Sequence, residues 1–174
     1  MAETRSLLLS PADVSAKVEA LARQIAPAIS DETVCVCLLT GGLWFAADMT
    51  RALAALDVHP LFDAMWVTSY GDSRKTSGDV VLRAGLQRSV EGRQVLLLDD
   101  VLDSGLSLEA ATTIAQDAGA AEVLTAVFAR KPWPGQRPHT PNFVAWEAPD
   151  RYLVGYGMDS AARYRGLAGI EALD

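Results

Sequence analysis

The segment Val95–Leu108, VLLLDDVLDSGLSL, constrains the fold more than any other stretch of this 174-residue chain. Four consecutive aliphatic residues suit a strand covered on both faces, as in the parallel sheets of α/β proteins. A half-solvated strand would alternate instead. Three carboxylates and a Ser-Gly-Leu-Ser turn follow at its carboxyl end, and a helix is predicted over Ser107–Asp117, closed by Gly119. A buried strand, a polar turn and a helix in immediate succession are half of a βαβ unit.

The rest of the chain repeats that theme. A helix is predicted from about Pro11 to Ile29, with Ser10 as N-cap, Pro11 at the first helical position and Asp13 as the capping-box acid. Val14, Val18, Leu21 and Ile25 give it one apolar stripe. Val34–Leu39 reads as a buried strand, Thr40-Gly41-Gly42 as a turn and Leu43–Leu56 as a helix. Phe62–Ser69 is a second strand, Tyr70–Gly78 a polar loop and Val80–Leu82 a short strand leading out of it. Gln94–Leu98 and Val123–Ala129 are further buried strands. Lys131–Pro141, with four prolines, must be irregular. Short strands are expected at Phe143–Trp146 and Tyr152–Val154, before a polar C-terminal segment. Strands alternating with helices define the fold class as α/β, a mainly parallel sheet flanked by helices, with ligands bound outside the carboxyl ends of the strands.

Composition narrows the function. With half its residues apolar and 21% charged, the chain reads as one compact domain over 1–174. A net charge of −7 argues against a nucleic-acid partner held through phosphate neutralisation, while a small anionic substrate stays open. The longest apolar runs are strand-length, so no membrane span is expected, and Met1–Ser10 is too weakly patterned for a secretory signal. Cys35 and Cys37 share one face of a strand and read as small core hydrophobes, in keeping with a cytoplasmic address. His59 and His139 read as exposed polar residues. Trp44, Trp66 and Trp146 read as core or subunit contacts, and Trp133 as partly exposed over the site.

The chemistry concentrates after the aliphatic run. The turn Ser104, Gly105, Leu106 and Ser107 can aim successive backbone N–H groups, a helix N-terminus and two hydroxyls at one anion. Beside this phosphate cradle stand Asp99, Asp100 and Asp103. Carboxylates next to a phosphate site suit sugar hydroxyls, a hydrated Mg²⁺ or a proton acceptor. A plainer reading, acids at a strand end for capping and solubility, competes for the pair alone.

The pattern resembles the phosphoribosyl-pyrophosphate signature of type I phosphoribosyltransferases. Three further segments, in the same order, resemble that family's hypoxanthine-guanine branch. Leu38–Leu53, LLTGGLWFAADMTRAL, is similar to the pyrophosphate loop and following helix. Ser69–Val80, SYGDSRKTSGDV, is similar to the mobile lid, and Pro149–Leu167, PDRYLVGYGMDSAARYRGL, to the purine hood. The resemblance implies a core over about 30–130 and a small hood over the site from about 131–174, with an N-terminal contribution left open. It implies a Mg²⁺-dependent, cytoplasmic purine-salvage enzyme acting on phosphoribosyl pyrophosphate and a 6-oxopurine, as a homodimer or homotetramer.

Site roles follow from the resemblance in the same way. Asp99 and Asp100 would contact the ribose hydroxyls and organise Mg²⁺, and Asp159 would be a second Mg²⁺-linked acid. Asp103 would be the general base toward the purine N7 proton. Ser104, Gly105, Leu106 and Ser107 would hold the 5′-phosphate. Lys131 would bond the exocyclic 6-oxygen, Tyr152 would stack on the base, and Leu153 would present backbone groups to its edge. Thr40, Gly41 and Gly42, through their amides, with Ser69, Tyr70 and Arg165, would hold pyrophosphate. Thr40 replaces a basic residue common in the family, and a strained or cis Leu39–Thr40 bond is implied.

Three alternatives stay open at this level. One is a transferase for xanthine or another purine, and the second is a non-catalytic regulator sensing the same ligand on the same fold. The third is a phosphoacceptor signalling domain, which expects its acid pair after the first strand rather than at residue 99.

Overall fold

Ser10 and Asp13 begin the first helix reciprocally. Ser10 Oγ accepts from the Asp13 amide at 3.2 Å, and Asp13 Oδ2 accepts from the Ser10 amide at 2.9 Å. The protein was analysed as a computed structural model that describes residues 4–69 and 80–173. Its elements are β1 (Arg5–Leu9), α1 (Pro11–Ile25), β2 (Val34–Leu39), α2 (Leu43–Ala54), β3 (Leu61–Ser69), β4 (Val80–Ala84) and β5 (Gln94–Leu102). There follow α3 (Leu106–Asp117), β6 (Glu122–Arg130), β7 (Phe143–Glu147), β8 (Tyr152–Val154) and β9 (Ile170–Leu173).

Six strands form one sheet in the order β4-β3-β2-β5-β6-β7. All neighbours are parallel except β4, which returns antiparallel along β3. The sheet is covered on both faces, which explains the unbroken aliphatic runs. In β5, Leu96 and Leu98 pack with Cys35, Cys37, Phe45 and the stripe of α1, while Val95 and Leu97 pack with Leu108, Ala111 and Ala115 of α3. Burial pushes both cysteine thiols up to about 12, so they serve as core hydrophobes.

The chain order places the site. β2 runs into α2 on one face of the sheet, whereas its neighbour β5 runs into α3 on the other face. A crevice opens where two parallel neighbours send their connections to opposite faces, at their carboxyl ends. The turns at 40–42 and 103–107 both open into this switch point.

A second sheet, β1-β9-β8, is antiparallel throughout and lies outside the sequence expectation at two of its three strands. β1 and β9 are short and pair only with each other and β8, residues far apart in the chain. Each is only four or five residues long, too short to show a strand period on its own. The N-terminal segment thereby joins the C-terminal one. The first helix is also shorter than expected, because Ala26–Ala28 tighten into a 3-10 turn around Pro27. No helix among the described residues is long and apolar enough to cross a membrane.

Candidate active site

A cavity of about 720 Å³ occupies the switch point, and three of its walls come from the ends of β2, β5 and β6. Thr40 and Gly41 line it from the turn after β2, and Asp99, Asp100 and Asp103 from the end of β5 and the residue after it. Ser104, Gly105 and Ser107 line it from the start of α3, and Lys131 from the end of β6. Tyr152, Leu153, Met158, Asp159 and Arg165 close it from β8 and the segment that follows.

The acid pair is under electrostatic load. Burial, then the charge of Asp100, holds the Asp99 carboxyl well above the usual carboxylate range. Asp100 is also raised by burial, opposed by hydrogen bonds and by Arg165. Each carboxylate accepts one backbone amide: Asp99 Oδ1 from Asp100 at 3.0 Å, and Asp100 Oδ1 from Val101 at 2.8 Å. Two adjacent carboxylates sharing little positive charge fit a cation held by one or two acids and completed by substrate phosphates, which is how Mg²⁺ is usually bound. Asp159 is held by other partners. Its Oδ1 lies 2.7 Å from the Arg165 guanidinium and its Oδ2 accepts the Ala162 amide at 2.7 Å. Among the described residues no group of three metal-ligating side chains forms.

Gly41 shows how tightly the β2 turn meets the acids. A Cβ built on it would lie 2.1 Å from Asp100 Oδ2, so any side chain there would have to push the carboxylate from its place. The Leu39–Thr40 peptide bond is cis. Gly42 departs from its expected role, because its amide donates to Leu38 O at 3.0 Å and is spent on closing the turn. Thr40 and Gly41, unlike Gly42, line the cavity. Leu106 likewise lies behind the cavity lining, as the first residue of α3. There the N–H groups of the first turn have no carbonyl partner within the helix and point outward with its dipole.

Also lining the cavity, Lys131 Nζ and Asp103 Oδ2 stand 3.8 Å apart. The lysine is mostly sheltered and the carboxylate half exposed, at 18% and 58%. A donor-only cation beside an acceptor matches the O6 and N7–H edge of a 6-oxopurine that carries its proton on N7. Arg165 also donates to Gly157 O at 2.5 Å, which ties the closing segment to itself across eight residues. Tyr152 stays exposed, with its hydroxyl donating to Asp159 O at 3.1 Å.

Three residues narrow or depart from the sequence expectation. Of the two places expected for Trp66, core or subunit contact, the core is excluded: it lines the cavity and is 44% exposed. Val101 and Met158 also line it, and only their tertiary placement reveals them. His139 is largely enclosed, its ring nitrogens 3.0 Å from Thr125 Oγ1 and 3.2 Å from Glu109 Oε2. Trp133 stands outside the cavity lining, against Arg137. Tyr70 and the lid segment to Asp79 lie outside the described residues, as does the Ser69 side chain.

The fold and this constellation define a transferase that handles a phosphorylated sugar, and comparison with known proteins agrees. Residues 11–160 match the model of the phosphoribosyl transferase domain, and the chain belongs to this family. It is 33% identical to a hypoxanthine-guanine phosphoribosyltransferase of Bacillus subtilis over 98% of this chain and 94% of that one. The Aquifex aeolicus protein of the same name is 36% identical over 92% of this chain and 90% of its own length. A crystal structure of a Staphylococcus aureus hypoxanthine phosphoribosyltransferase superposes with a TM-score of 0.88 at 28% identity, covering 97% of this chain and 91% of that one.

Proposed function

We propose that the protein transfers the 5-phosphoribosyl group from phosphoribosyl pyrophosphate to N9 of hypoxanthine or guanine, releasing pyrophosphate, in purine salvage. One observation carries the reading: a single cavity is lined by the acid pair, the turn that starts α3 and the Lys131–Asp103 pair. In the reaction the bond from ribose C1 to pyrophosphate breaks and the bond from C1 to N9 forms. Asp103 takes the N7 proton as the purine's nucleophilicity rises. Lys131, only a donor, favours a 6-oxo group over the 6-amino group of adenine. The start of α3, with Ser104 and Ser107, binds the 5′-phosphate. Arg165 and the Thr40 and Gly41 amides receive the leaving pyrophosphate. Asp99 and Asp100 face the ribose hydroxyls and would hold Mg²⁺, which when bound neutralises leaving-group charge. Asp159 serves by fixing Arg165.

The segment after β8, together with the β1-β9-β8 sheet, acts as the hood of a single domain. A homodimer or homotetramer and a cytoplasmic address belong to the same proposal. Phe62 and Trp66, on one face of β3, leave apolar surface for a second copy to cover, and both cysteines are free.

The test is direct. The purified chain is incubated with phosphoribosyl pyrophosphate, Mg²⁺ and hypoxanthine, guanine, xanthine or adenine in turn, and nucleotide formation is followed. Inosine or guanosine monophosphate is expected. Product with xanthine or adenine alone would replace the base assignment, and no product with any base would leave a non-catalytic binder.

A further inference from the structure

The ladder between β5 and β6 ends just before the two residues that face the purine. Leu102 pairs with Arg130, and the last main-chain bond runs from the Lys131 amide to Leu102 O at 3.1 Å. Beyond it the Asp103 and Lys131 carbonyls have no strand to pair with, and their side chains would be free to drift apart. Arg137 fills that gap. Its Nε donates to Asp103 O at 2.7 Å and its Nη2 donates to Lys131 O. A guanidinium presents its donors in one rigid plane, so bonding both carbonyls fixes their separation as a strand bond would. The plane is itself backed by the Trp133 ring, whose centroid lies 5.8 Å from Arg137 Cζ. Arg137 is not among the residues lining the cavity, so it can act only through the groups it holds.

We propose that Arg137 is a positioning residue for the purine: it clamps the main chains of Asp103 and Lys131 and so keeps their side chains at the spacing the base edge needs. This inference rests on the reading of that pair given above. The proline-rich loop then has a definite task, which is to return Arg137 to the strand ends from which it departs. It crosses beside the phosphate turn on the way, where a Cβ on Gly105 would come within 3.7 Å of Arg137 Cβ.

Arg137→Met keeps the aliphatic stem and removes both bonds, whereas Arg137→Lys keeps the charge but can reach only one carbonyl. With hypoxanthine and guanine, kcat/KM should fall roughly 10–100-fold in Arg137→Met, the usual cost of displacing a catalytic group by about an ångström. Arg137→Lys should fall between it and the parent. The KM for phosphoribosyl pyrophosphate should rise by a clearly smaller factor, because Arg137 touches the phosphate turn only at the Asp103 carbonyl while the rest of that turn is held by α3. In a Lys131→Ala background the same substitution should cost a clearly smaller factor, since half of what it positions is gone. Equal losses toward purine and phosphoribosyl pyrophosphate, or full additivity with Lys131→Ala, would overturn the proposal. A crystal structure of Arg137→Met, or of Arg137→Lys if the former does not fold, reads the clamp without any activity. The Lys131–Asp103 separation should leave 3.8 Å. A pair unmoved in that structure refutes the clamp, while an inactive parent chain refutes only the proposed reaction.

Discussion

The two sides of the cavity are built by different means. The core side stands on a regular parallel ladder, and its functional groups sit where strands β2, β5 and β6 end. The hood side stands on turns. Of the five non-glycine residues with positive φ among those described, Tyr156, Ala161, Ala162 and Tyr164 all lie within it. Left-handed backbone costs a non-glycine residue about 1–2 kcal/mol, so the hood holds its shape because its own bonds and its contacts with the core together over-determine it. Gly157 is the tightest of these. At φ +102 its Cβ would lie 2.0 Å from Gly41 O, so the hood rests directly on the β2 turn. Tyr156 adds a second tether, its hydroxyl donating to Asp48 Oδ2 of α2 at 2.9 Å. The core thus carries its acids and Lys131 at the ends of regular strands, whereas the hood brings Arg165 and Asp159 on a segment that rests on the core.

The sharpest way to separate the two is to remove the core's proton acceptor. Asp103→Asn should keep both substrates bound yet lower kcat by roughly 10²–10⁴-fold, the usual worth of a positioned general base. Near-parental turnover, with chemistry shown to be rate-limiting, would move that role elsewhere.

A paired glycine experiment tests the dependence of hood on core. Gly157→Ala meets a backbone carbonyl at an unfavourable φ and should cost roughly 1–3 kcal/mol of stability. Gly41→Ala meets the Asp100 carboxylate, which can turn aside, so its melting temperature should fall less while catalysis falls more. Thermal melts beside steady-state kinetics would show it, and the reverse ranking would mean the hood stands independently.

The smallest expected effect concerns stability and pH. Burial raises the folded Asp99 carboxyl above its ordinary 3.8. Any stabilisation tied to its protonated form is therefore complete below that value and lost as pH rises through the folded pKa. Asp99→Asn retains the acceptor for the Asp100 amide and removes one charge. It should raise the ligand-free melting temperature near neutral pH by on the order of 2–4 °C, with a gain that vanishes toward pH 3. A gain independent of pH would place its origin outside the carboxylate pair.

What the sequence determined by itself is whatever consecutive residues encode. The strand–turn–helix of Val95–Leu108, the Ser10–Asp13 capping box and the proximity of Asp99, Asp100 and Asp103 to a phosphate turn are local, so neighbouring residues announce them. Tertiary structure alone decided the rest. That Gly42 spends its amide on Leu38 is set by how sharply one turn closes. The β1–β9 pairing, the seating of Gly157 on Gly41 and the reach of Arg137 to Asp103 each join segments distant in the chain. Such pairings leave no periodicity in either partner, because the geometry that selects them exists only once the sheet has brought both ends together.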